Sequence, residues 1–144
     1  GLTDVAYAGL SMKEYPQIKR FVRDALGCAC PDEVFRRIVC KAADNGQGTK
    51  IEIGGRLLIY LIDVDPAPWC IDEIAAALQR GVAERNRRGF NRFRLLLVAP
   101  RPERLYSTAC QAFENSPYRD DRAHLHVVDA ATVSSFFPLP KNDA

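Results

Sequence analysis

The chain predicts an α/β fold: a three-layer α/β/α sandwich around a sheet of about four, mostly parallel strands, with a helical pair at the amino terminus. Three stretches carry that expectation. Leu57, Leu58, Ile59, Tyr60, Leu61 and Ile62 form a run that does not alternate, as in a strand covered on both faces. Ile71, Ile74, Ala75, Leu78 and Val82 then recur with a period near 3.6, and Glu73, Arg80, Glu84 and Arg87 are expected to turn outward. A second apolar run follows at 93–99. Strand, helix, strand makes a crossover unit, so the two strands should be parallel.

The other elements follow in order. A helix is read from Tyr15, with Pro16 in its first turn and Ile18, Phe21, Val22, Ala25 and Leu26 as its apolar stripe. Pro31, Asp32 and Glu33 open a second helix, whose apolar face would be Val34, Phe35, Ile38, Val39 and Ala42. A short strand at 50–53 leads through the two-residue turn Gly54-Gly55 into the central strand. Asp72 and Glu73 at the start of the long helix, and Arg85, Arg87 and Arg88 at its end, suit its dipole, and Gly89 suits its stop. A helix at 103–114 should bury Leu105, Tyr106, Ala109, Cys110 and Phe113, and a last strand spans 124–128. The string reads as one domain: helices in 1–45, a ββαβαβ core in 50–130 and a tail in 131–144. Both later helices should lie on one face of the sheet, with the first two on the other.

At 144 residues the chain is long enough for a sizeable core, and 47% apolar and 26% charged residues are ordinary for a globular protein. A net charge of +2 singles out no partner, and a nucleic-acid partner is not expected from it. No signal peptide and no membrane-length apolar run is read, and Gly1 suggests a trimmed terminus or an expression scar. Five cysteines, an odd number among good core elements, point to reduced thiols and a cytoplasmic location.

The strongest chemical feature is Gly27-Cys28-Ala29-Cys30-Pro31-Asp32-Glu33-Val34-Phe35. Two thiols just ahead of a helix start meet its positive dipole end, which favours the thiolate that reacts and binds zinc or an iron–sulfur cluster. Such sites normally need four ligands, and the bland reading makes Cys30 a cap and Cys28 a small buried residue. Cys40, on the same helix, would lie about 15 Å along from Cys30. Cys70 follows Pro68-Trp69 at a helix start, as the nucleophilic cysteine of thioredoxins does. Glu73 stands where the second thiol would be, so Trp69 reads as an apolar anchor.

His124 and His126 share a strand face and, with Asp120, Asp121 and Asp129 nearby, are weaker metal candidates; the alternative is a solvated edge strand. Asp63 and Asp65 follow a strand's carboxyl end, where ligands of open α/β sheets bind and where Mg²⁺ chemistry would want carboxylates. Arg80, Arg85, Arg87, Arg88, Arg92 and Arg94 crowd one region; a nucleic-acid patch is one reading, and the plain one, which the near-neutral total charge favours, is a solvated helix end. Phe136, Phe137 and Leu139 in the tail need something to dock on, their own core or a second copy.

The motif GCxCPxEVF at 27–35, with the ending at 123–130, resembles a family of small bacterial proteins of uncharacterised function, and that resemblance implies no activity. The leading expectation is a bacterial cytosolic protein that binds a metal or handles thiol redox through Cys28 and Cys30, with Cys70 as a third participant. The competing class is a non-catalytic homodimeric interaction module with structural cysteines. A third is a Mg²⁺-dependent hydrolase or nuclease using Asp63 and Asp65.

Overall fold

The computed structural model describes residues 38–43, 48–65 and 69–134. Their order is β1 (Ile38–Ala42), β2 (Thr49–Ile53), β3 (Leu57–Asp63), α1 (Glu73–Arg88), β4 (Arg92–Val98), α2 (Pro102–Glu114), β5 (Ala123–Val128) and α3 (Ala130–Ser134). The strands form one sheet in the order β1-β2-β3-β4-β5. β1, β2 and β3 are antiparallel neighbours, whereas β3-β4 and β4-β5 are parallel.

The fold is therefore α/β, with two corrections. The sheet has five strands rather than four, and half its pairings are antiparallel. The extra strand comes from residues 38–42, which the apolar spacing assigns to the second helix. Val34, Phe35, Ile38, Val39 and Ala42 fit a helical period, but Ile38 and Cys40 are buried while Val39 and Lys41 are less so, a strand's period of two. Pairing Cys40 with Ile51 supplies the backbone hydrogen bonds that decide the matter. Cys40 is thus a buried strand residue, and its helical distance from Cys30 does not apply.

The other joints follow the sequence. Gly54 and Gly55 both have positive φ, 60° and 68°, as the tight hairpin requires, and Arg56 N–H donates to Ile53 O at 3.0 Å. Gly89 is left-handed and closes α1 through its N–H on Arg85 O. Gly48 passes so close to β3 that a Cβ there would stand 2.3 Å from Leu61 O.

Both long helices pack on one face of the sheet. Leu58, Tyr60, Ile62, Phe93, Leu95 and Leu97 meet Ile74, Ala77 and Leu78 of α1 and Ala109 and Phe113 of α2. Trp69 packs at the margin of this core, as its anchor role implies. The opposite face carries Ile51, Ile53, Leu57, Ile59 and Leu96, all buried. Since β3 and β4 are buried on both faces, they read as continuous apolar runs. Among the described residues no helix is long and apolar enough to cross a membrane.

Two expectations about helix faces fail. Glu84 does not turn outward; it is buried and sits in an ionic network. It accepts from Lys50 Nζ at 2.9 Å, Tyr60 Oη at 2.5 Å and Arg88 Nη1 at 2.6 Å. Arg88 also grips Glu52 with both terminal nitrogens, at 2.7 and 2.8 Å. Tyr106 is the second: it is 55% exposed, and Cys110, one turn on, is only partly buried.

Candidate functional site

The basic groups on β4 and β5 form the most unusual constellation. Phe93, Leu95 and Leu97 face the helices, so Arg92 and Arg94 must face the other side of β4. The parallel register sets Arg94 beside His124 and Leu96 beside His126. Each guanidinium reaches diagonally forward: Arg94 Nη1 lies 2.9 Å from His126 Nε2, and Arg92 Nη1 lies 3.3 Å from His124 Nε2. Arginine only donates, so both Nε2 atoms accept and the ring proton sits on Nδ1.

Arg94 is 6% exposed and has no carboxylate partner among the described residues, and its Nε has no hydrogen-bond partner there. A buried cation without an anion costs several kcal/mol, and a fold does not keep one without a compensating reason. The arginines of α1 differ sharply. Arg85, though buried, is matched by Asp120 at 2.8 and 2.5 Å. Arg88 is matched by Glu52 and Glu84.

The electrostatics follow from that missing anion. Burial, then the adjacent Arg92, lowers the pKa of Arg94 from its usual value. Burial, Arg94 and His124 bring His126 down to about 4, so it is neutral at pH 7. His124 is lowered by burial, Arg94 and Arg92, with Asp120 and Asp121 opposing. Arg94, His124 and His126 line a cleft of about 600 Å³ at the β5 edge, together with Tyr106, Arg119 and the carboxylates of Glu114, Asp120 and Asp121; Arg92 lies outside it.

His124 and His126 do share a face, but arginines rather than further metal ligands stand beside them. The three nearby aspartates do not complete a metal site. Asp120 is held by Arg85, whose hydrogen bonds keep its carboxyl below the usual range. Asp121 is exposed and lines the same cleft. Asp129 accepts from Thr132 N–H at 2.7 Å, at the start of α3. At the carboxyl end of β3, Asp63 Oδ1 accepts from Asp65 N–H at 2.9 Å, so it caps its own turn, and both side chains are exposed. Among the described residues no group of three or more His, Cys, Asp or Glu side chains is placed to hold a metal ion.

Cys70 is an exposed free thiol. Cys28 and Cys30, the tail aromatics and the motif at 27–35 lie outside the described residues. In the sequence Arg94 is one of a crowd of arginines. The signal that separates it is its position: a charge inside the apolar run Phe93-Arg94-Leu95-Leu96-Leu97, where a strand buried on both faces has no room for a solvated group.

Comparison with protein-family models, with curated proteins and with solved structures finds no match.

Proposed function

We propose that the protein is an oxyanion-binding module, with the seat formed by Arg94 and His126 and extended by Arg92 and His124. The observation that carries this reading is the buried guanidinium of Arg94, a residue that lines a cleft, with no acid paired to it among the described residues and its buried Nε without a partner. A phosphate, sulfate or carboxylate group would supply the missing charge, and arginine's planar fork fits such oxygens in pairs. Neutral histidines with a proton on Nδ1 add donors without adding repulsion between cations. The reading places the protein among binding modules and requires no bond to be broken.

Calorimetric titration of inorganic phosphate at pH 7 tests it. The native chain should bind saturably, and Arg94→Gln should weaken binding at least tenfold, the effect expected for removing a charge-assisted contact. Failure of the native chain to bind phosphate, sulfate or acetate would overturn the proposal.

The exposed thiol of Cys70 favours a second reading, a metal or redox role with Cys28 and Cys30. Elemental analysis of anaerobically purified protein should then show stoichiometric zinc or iron, lost in the Cys28→Ser/Cys30→Ser variant. Metal-free protein with thiols of ordinary pKa would end that reading.

A further inference from the structure

We infer that the ligand of the Arg94 seat is the phosphorylated end of a single nucleic-acid strand, laid along the ladder of Arg94–His126 and Arg92–His124. The inference rests on the oxyanion reading and gives that anion a chemical class. Three observations lead to it.

First, the seat is repeated. The same arginine–histidine pair occurs twice, two residues apart on two paired strands. Same-face residues at that separation are about 6.6 Å apart along a strand. A lone phosphate or sulfate uses one rung only. Neighbouring phosphates of a diphosphate share an oxygen and crowd within one rung. Successive phosphates of a nucleic-acid strand are held apart by a whole sugar, which suits one phosphate per rung.

Second, the ladder is graded in burial. Arg94 is deep, whereas Arg92 and both histidines are only partly buried. Arg122, opposite Arg92 just before β5, extends the line outward, where its Nη1 donates to Asn91 O at 3.0 Å. A terminal phosphate can enter the deep rung; an internal one would have to drag chain in on both sides. The acids of the cleft offset the ladder only in part: Asp120 is taken by Arg85 and Glu114 is paired with Arg119, which leaves Asp121, exposed, to act on His124.

Third, the same cleft offers an aromatic surface. Tyr106, more than half exposed, lines it from α2, where a terminal base can stack. A singly phosphorylated peptide would leave the second rung without an anion and would have no need of a stacking ring. The overall charge of +2 hides this arrangement, since it averages the ladder with acids elsewhere.

Fluorescence anisotropy with labelled single-stranded DNA, ten nucleotides long, tests the inference on the full chain. The strand carries a phosphate at its 5′ end, at its 3′ end or at neither. A terminal phosphate at one end should tighten binding at least tenfold. Arg94→Gln should erase that gain, and Arg92→Gln should weaken every strand. Tyr106→Ala, a change at an exposed site, should weaken the phosphorylated strand about tenfold and leave inorganic phosphate binding unchanged. With two arginines engaged, log affinity should fall with log salt at a slope of about −1.4.

Equal affinity with and without the terminal phosphate would overturn the strand assignment, as would tripolyphosphate competing as well as the strand. If inorganic phosphate still binds in that case, the oxyanion seat stands and only its ligand class falls. If neither binds, both fall together.

Discussion

Arg94 and Lys50 are both buried cations in one sheet, and the physics of their surroundings sets them apart. Lys50 is 3% exposed and its charge is answered by Glu84 at 2.9 Å. Among the described residues Arg94 is answered only by a neutral histidine. Removing each should therefore act in opposite directions. Lys50→Met strips a partner from a buried carboxylate, a change that typically destabilises by about 3–5 kcal/mol when nothing compensates. Arg88 and Tyr60 still hold Glu84, which places the loss at the low end of that range. Arg94→Met removes an unanswered charge and keeps the volume, so the protein should gain about 1–3 kcal/mol, as when a buried charge gives way to an apolar side chain. Urea unfolding of the two variants reads both signs. A stability loss in Arg94→Met would mean that the arginine holds the sheet together and has no need of a ligand. This is also where the sequence misled. The usual rule turns charged residues to water, and Glu84, Arg85 and Arg94 break it because each lies buried between the sheet and its neighbours.

The elements themselves were legible wherever the hydrophobic pattern was long. The strand at Leu57–Asp63, the helix at Glu73–Arg88 and the strand at Arg92–Val98 fall within a residue or two of their expected bounds. β1 was not legible, since five residues carry too little pattern to separate a strand from a helix that continues the preceding apolar spacing. Nor does any local pattern reveal how closely α1 approaches β4. A Cβ on Gly81 would stand 2.1 Å from Cζ of Phe93, so the glycine is what lets the helix sit on the sheet. Phe93 cannot move aside: it is fully buried and meets Tyr60 edge-on, with ring centroids 4.9 Å apart. Alanine at 81 should gain about 1 kcal/mol in helix propensity and lose more to overpacking, which costs about 1–3 kcal/mol. Gly81→Ala should therefore destabilise by up to about 2 kcal/mol net, and Phe93→Leu in the same chain should return part of the loss. A fully additive pair in a double-mutant cycle would show that the two sites do not touch.

At the scale of the whole molecule, the two ionic clusters on opposite faces of the sheet should write two separate stages into its acid response. His126 is held at about 4 in the fold, by burial, Arg94 and His124, against about 6.5 for a free imidazole. The unfolded chain therefore takes up that proton first, and the stability is complete above about pH 6.5 and lost as pH falls towards 4. Burial alone would raise Glu84, but hydrogen bonds from Lys50, Tyr60 and Arg88 outweigh it and bring it to about 2. Its stability contribution is complete above about pH 4.5 and is lost below that, in a later stage. His126→Gln keeps an acceptor for Arg94 and cannot titrate, so it should flatten the first stage and leave the second. An anion in the seat changes the first stage in a defined way. Next to an oxyanion the imidazolium is favoured, so anion and proton should bind the folded chain cooperatively. Sulfate keeps its charge across this range and serves as the probe. It should raise the melting temperature more at pH 5 than at pH 7.5, and His126→Gln should make the two shifts equal. A sulfate effect that is the same at both pH values in the native chain would place the anion away from His126, and with it away from the buried guanidinium on which the binding site was built.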